Sequence, residues 1–400
     1  MCIRDSDNIL AGSCAGKGVT SGDYNVALGY EAGCSITEGG ENITIGYYAG
    51  KTISTCSGNI MLGTRAGENT NASNNFFGGY AAGKCNTSGK YNIFFGVAAG
   101  KCITTTDSSI GIGQDAGMCN AGNHLIAIGD YAAKENEGDE NIAIGTCAAK
   151  EITTGTYNIA LGHCAAGGAA VTGNCNISIG VMAGRALTSG TCNVFLGECA
   201  GKCVDTYTRN TFLGSRAGQY TCGDDNTLIG WNAGSNIQGD YNVFIGRNAG
   251  KANSNSNTHR NIGIGLNALD DITDGCCNTV VGQEAGWKVT SGHNNVFLGS
   301  CAGYYVTTGD YNVIIGAGAS APSATGDTQL AIGAGNTNWI SGDSNFHIQP
   351  GAGIRDTAGN LGSAGQVLCT TGSAVAWTAA GGGGGGVSQA KATAIAMTFG

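Results

Sequence analysis

Proline is almost absent, with 2 residues in 400, while glycine contributes 72. Glycine near one fifth without a strict every-third-residue period excludes a collagen triple helix. Charged residues make up only 12% of the chain, about half the usual share. No run of about 18 apolar residues occurs, so no transmembrane helix and no membrane insertion is expected. The net charge is −9, and a basic face for nucleic acid is missing. The start, Met1-Cys2-Ile3-Arg4-Asp5-Ser6, has no apolar signal-peptide core. It also fails to match the pattern that begins at Asp7, so residues 1–6 read as an out-of-pattern leader.

What is present is a core's worth of apolar residues, 42% of the chain, under a glycine content that opposes long helices. Repetition decides the class. A unit of Asn, three mostly apolar residues, Gly, two variable residues, Ala and Gly recurs along the chain, as in Asn25 to Gly33. Its central glycine falls at 12, 29, 46, 63, 79, 96, 113, 129, 145, 162, 180, 197, 214, 230, 246, 265, 282, 299, 316 and 333. Of the 19 intervals, 12 are 17 residues, five are 16, one is 18 and one is 19. Asn opens 17 of the 20 copies, with Ser109, Leu125 and Gln329 as exceptions. Ala stands three after the central glycine in 19 copies, with Asn336 as the exception.

A unit this short suits two short strands and two tight turns. The expected fold is all-β: a parallel β-solenoid, or β-roll, of about twenty coils of 16–19 residues over 7–337. One coil cannot bury its own apolar face, so coils must stack. At about 4.8 Å per coil the rod would be roughly 95 Å long. Stacked Asn side chains are read as an amide ladder rather than a ligand row. The central glycine is read as a position of positive φ, or one where no side chain fits. Ala is read as a tight inner corner.

The residues one and three before the central glycine are aliphatic, as in Ile43 and Ile45, and are read as the inner face. The residue two before should then point outward. It is large and apolar in eleven copies, including Phe77, Phe94, Phe195, Phe212, Phe244 and Phe297. An exposed row of this kind exceeds what a soluble monomer tolerates. The expectation is that it packs against other chains.

The Asn-Ile-Ala-Ile-Gly type of copy, as at 141–145, resembles the head repeats of trimeric autotransporter adhesins. It is also similar to repeats in bacteriophage tail fibres and other virion structural proteins. The resemblance implies a left-handed parallel β-roll with three chains side by side, hence a homotrimer. Within 338–380, Ser341 to Ile348 reads as a degenerate last strand. It is followed by a Gly-Gln-Val-Leu to Trp segment, Gly365 to Trp377, similar to elements of phage fibre proteins. Residues 381–386 are a glycine linker, and 387–400 read as the start of a further module. The chain therefore reads as a piece of a longer fibre.

No catalytic, cofactor-binding or metal-binding residues are assigned. The five histidines, His124, His163, His259, His293 and His347, have no metal-type spacing. The Gly-x-Gly strings belong to the repeat and are not a nucleotide fingerprint. Asp23, Asp240 and Asp310 are read as solvated turn residues. Of the 18 cysteines, twelve recur at three places in the repeat, without a zinc pattern; stacked neighbours could form disulfides or stay thiols, and many thiols without fixed pairing suggest a reducing compartment. Nine of the 19 basic residues, Lys17, Lys51, Lys84, Lys101, Lys134, Lys150, Arg185, Lys202 and Lys251, lie five after a central glycine. That column suits a solubilising corner; the alternative is a stripe for an anionic cell-surface glycan. Together these features point to a non-enzymatic fibre segment, a spacer with host-surface adhesion, in a phage tail fibre or virion protein assembled in the host cytoplasm. The alternatives are the head of a bacterial surface adhesin and a carbohydrate- or ice-binding solenoid.

Overall fold

A computed structural model describes residues 7–252, 256–335, 337–345, 347–350, 366–370 and 375–379. The leader 1–6, the glycine linker and residues 387–400 lie outside the described residues. The described chain is all-β, without helix. Each copy of the repeat supplies one strand, and twenty of these stack in parallel from Ile9–Ala11 to Leu330–Ala334. Register never slips along the stack. Ile43, Thr44 and Ile45 pair with Ile60, Met61 and Leu62, and the same three repeat positions pair in the next coil.

The expected second strand is mostly missing. Among the described residues, only Ile237–Gln238 and Ser256–Asn257 pair on that side, with isolated bridges Ile152 to Val171 and Cys222 to Gln238. The reason is a shared acceptor. The Thr37 carbonyl takes the N–H groups of Thr20, Ser21 and Gly22 at 3.0, 3.1 and 3.1 Å. Three successive donors converging on one oxygen curl the chain into a turn, where a strand would alternate them.

The inner and outer faces of the strand are the reverse of the sequence expectation. Phe77, Phe94, Phe195, Phe212, Phe244 and Phe297 are wholly buried inside their own coils. The flanking apolar residues face outward: Ile45 is 39% exposed, Leu213 41% and Phe95 53%. Alternation explains the correction. The ladder Asn lies two residues before the central row, so both must point to the same side. A buried amide ladder therefore carries the large apolar row inward with it.

That ladder is the spine of the coil. Asn42 donates its backbone N–H and its Nδ2 to Asn25 Oδ1 at 3.0 and 3.1 Å, and Nδ2 also reaches the Cys56 carbonyl at 2.9 Å. Asn59 repeats the pair of bonds on Asn42 at 3.1 and 3.0 Å. These side chains are fully buried, so each unmade bond would leave a desolvated amide group. Where Ser109 and Leu125 break the column, a second one substitutes. Asn136 Nδ2 donates to Asn120 Oδ1, and Asn141 Nδ2 donates to Asn136 Oδ1, at 2.6 and 2.9 Å.

Glycine recurs at two places per coil, each with a steric reason. At the central position Gly145 has φ +127°, and a methyl group there would lie 2.7 Å from the Gly162 carbonyl oxygen. Four residues on, Gly201 has φ +57°, and a methyl group would meet the Phe195 ring at 2.6 Å. This second site is matched to the core. Ala133, Ala149 and Ala166 replace the glycine in the three consecutive coils whose inward residue is Ala127, Ala143 or Ala160. Leu269 replaces it where the inward residue is Gly263. A further core column lies seven after the central glycine, with Ile36, Ile53, Ile103, Ile152, Leu187, Val204 and Val289 fully buried.

The parallel ladder ends in an antiparallel turn-back. Leu330–Ala334 pairs antiparallel with Thr337–Gly342, which pairs antiparallel with Ile348–Pro350. The Gly-Gln-Val-Leu to Trp segment is a separate antiparallel pair, Gln366–Thr370 with Val375–Ala379.

Two substitutions test this packing. Gly201→Ala should destabilise the rod by about 1–3 kcal/mol through overpacking, measured by urea unfolding. Adding Phe195→Leu should recover part of that loss, whereas purely additive costs would show that the two positions do not share one volume.

Candidate functional site

The turn before each strand holds a second ladder that sequence reasoning missed. The side chain six before the central glycine accepts the backbone N–H of the equivalent residue one coil earlier. Asp107 Oδ1 accepts from Lys90 at 2.6 Å, Asp224 Oδ1 from Thr208 at 2.6 Å, and Asp310 Oδ1 from His293 at 2.7 Å. Asn174, Ser57 and Ser73 do the same. Two histidines belong to this column: His259 Nδ1 accepts from Asp240 and His293 Nδ1 from Cys276, both at 3.0 Å. Asp240 Oδ1 in turn accepts from Asp224 at 2.8 Å, so Asp240 and Asp310 are both N–H acceptors of this column. Its sequence signal was the run of Asp, Asn, Ser and His at one repeat position.

The other histidines are scattered. His163 Nε2 lies 3.7 Å from Cys164 Sγ, and His347 Nδ1 lies 3.2 Å from Asp343 Oδ2. Among the described residues no three His, Cys, Asp or Glu side chains gather as a metal-holding group.

The sixteen cysteines of the described residues with placed side chains are free thiols. Cys102 and Cys119 are neighbours in one column, and burial together with the Cys102 thiol pushes Cys119 up to about 11. Burial likewise raises Cys56, Cys164, Cys203 and Cys276. Thiols held protonated are poor nucleophiles. Mild reductant should leave the melting temperature unchanged; a fall on reduction would reveal a disulfide framework.

Four of the nine residues of the basic column have a carboxylate partner within the chain. Lys51 lies 2.8 Å from Glu31, Lys84 3.7 Å from Glu68, Lys150 3.3 Å from Glu151 and Lys251 3.9 Å from Asp270. The Lys51 ammonium also sits 4.0 Å over the Tyr48 ring. Hydrogen bonding to Lys51 holds the Glu31 carboxyl below its usual value. This favours the solubilising corner over an anionic-glycan stripe.

Asp270 departs from the column's rule. It is only 8% exposed, and its Oδ1 has no hydrogen-bond partner. Burial pushes its carboxyl up to about 6, against 3.8 when unfolded. Folding thus favours the protonated form, so the carboxyl weakens the rod as pH rises from about 4 through 6. Asp270→Asn should raise the melting temperature by about 2–4 °C at pH 8 and leave it nearly unchanged at pH 4.

The same corner carries an aromatic cluster two and three coils from the end of the parallel stack. Trp287 and Tyr304 stand five after consecutive central glycines, where other coils carry Lys. Their ring centroids are 5.4 Å apart, and Tyr304 and Tyr305 are 4.7 Å apart. Lys288 Nζ lies 5.6 Å from the Trp287 ring and donates to Asp271 Oδ2 at 2.9 Å. A second aromatic cluster, Tyr30, Tyr47 and Tyr48, lies near the other end, with Tyr30 and Tyr47 stacked at 5.3 Å.

No protein-family model, no curated protein and no solved structure matches this chain.

Proposed function

We propose that the chain is a non-enzymatic structural rod, a segment of a phage tail fibre or virion protein that works as a self-associating spacer for host contact. The observation carrying this reading is the outward apolar face. Ile9, Ile45, Ile93, Phe95, Ile112, Ile144, Leu196, Leu213, Ile262, Val281 and Leu298 are each at least 36% exposed. They occupy the two strand positions beside the buried row, on one face of one continuous ladder. Tyr30, Tyr47, Tyr80, Val97, Val181 and Trp231, one after the central glycine, widen the same band.

A band this long needs a cover. It repeats every coil at about 4.8 Å, so a surface that stays in phase along its whole length must share that repeat. An identical rod does. We take the number as three, a homotrimer, from the resemblance to adhesin and fibre repeats, which also suggests the left-handed coil. Free thiols along the surface suit assembly in a reducing host cytoplasm and favour the virion reading over an exported bacterial adhesin.

Analytical ultracentrifugation tests the association. The wild type should sediment as an elongated trimer. Leu196→Asp with Leu213→Asp should yield folded monomers, because both side chains are already partly solvated. Phe195→Asp should instead unfold its own coils, by burying an unpaired charge at a cost of several kcal/mol. A wild type that stays monomeric at micromolar concentration would end the self-association reading.

A further inference from the structure

We propose that the corner formed by Trp287, Tyr304, Tyr305, Lys288 and Asp271 is a binding platform for a neutral saccharide. The residues form a grid of three rows and two columns. Asp270 and Asp271, Trp287 and Lys288, and Tyr304 and Tyr305 stand five and six after three consecutive central glycines. The rows are tied by backbone bonds: Asp271 N–H donates to the Trp287 carbonyl and Lys288 N–H to the Tyr304 carbonyl, both at 3.1 Å. Rows are therefore spaced by one coil, about 4.8 Å. Three rows span roughly 10 Å, the scale of one or two pyranose rings.

The chemistry matches that ligand. Aromatic faces are electron-rich and attract the polarised C–H groups of a sugar ring. A sugar also needs donors and acceptors at the rim of an apolar surface. The Lys288 ammonium and the Asp271 carboxylate supply one of each beside the rings. Their 2.9 Å contact leaves the pair neutral overall, so the platform offers no net charge to an anionic ligand.

Trp287 and Tyr304 are half-buried against each other, but packing does not explain Tyr305. Tyr305 is 66% exposed, so it gains little from burial within its own chain. The grid follows the buried Ala three after the central glycine and so occupies other repeat positions than the outward apolar band. The Tyr30 and Tyr47 cluster differs here: it stands one after the central glycine, within the band assigned to self-association, and carries no ligand proposal. The platform deepens the host-contact reading, and rests on it only for biological use.

The test uses the full chain, with tryptophan fluorescence and saturation-transfer NMR against cellohexaose, maltohexaose and hexa-N-acetylchitohexaose. Sialyllactose is the anionic arm. At least one neutral hexasaccharide should bind with a dissociation constant of about 10 mM or tighter. Trp287→Lys restores the residue type that other coils carry there, so the coil should keep its circular dichroism. It should weaken binding at least about tenfold, as should Tyr305→Ala. Tyr91→Ala, 60% exposed on another column, should leave affinity unchanged. Failure of all three neutral sugars to bind, binding of sialyllactose alone, or binding that survives Trp287→Lys would overturn the proposal. Sedimentation of the same samples separates this from the association reading, since a monomeric rod could still bind and a trimer could fail to.

Discussion

Every residue in this rod must be compatible with a copy of its own position about 4.8 Å away. Parallel in-register stacking imposes that condition, and the rest of the structure depends on it. A primary amide meets it best, because its oxygen accepts while its nitrogen donates. The Asn column uses both ends: Asn193 takes Asn176 Oδ1 at 3.0 Å and offers its own Oδ1 to Asn210 at 3.2 Å. Glycine meets it by having no side chain, so the backbone carbonyl of the next coil can approach. Lysine meets it badly, since like charges directly opposite repel. Accordingly Lys51, Lys84 and Lys150 each have a carboxylate within 4 Å.

The interior obeys a second condition, a constant volume per coil. The three-residue strand sends one side chain inward, and the αL glycine four residues after the central glycine faces it across a narrow space. When the inward residue shrinks from Phe to Ala, the glycine can become Ala, although Ala149 then holds φ at +46°. A non-glycine αL residue costs roughly 1–2 kcal/mol; the filled void offsets it. Neighbouring coils also share volume. Ser178 is small, and the space above Gly184 is closed by the Phe195 ring of the next coil. Cores of this kind tolerate substitution in correlated pairs better than singly.

The existence, period and count of the coils were legible because a stack repeats its own constraint in every copy. So were the amide ladder and the need for the central glycine. The facing of the strand was not read correctly, although the information was present. The ladder Asn and the row of Phe77, Phe94 and Phe195 share a parity, and placing the amides inside commits the rings to the inside too. Exposure was argued from composition alone, which cannot separate two apolar faces. The ladder six before the central glycine escaped for another reason. Asp, Asn, Ser, Thr, His and Cys all occupy that place, and most can accept one N–H, so residue identity varies while the role persists.

That contrast bears on where function can sit. Positions fixed by stacking are spent on the fold, and a ligand site has to use positions the stack leaves free. The corner five and six after the central glycine is such a place: it accepts Lys, Arg, Asp, Cys, Gln or an aromatic without disturbing the ladders. Chemistry placed there can differ from coil to coil on an unchanged backbone. Trp287, Tyr304 and Tyr305 are informative for this reason. The same corner holds charged side chains elsewhere, so the stack does not demand rings, and the exposed Tyr305 ring, which the fold does not demand, has to be explained by what it meets outside.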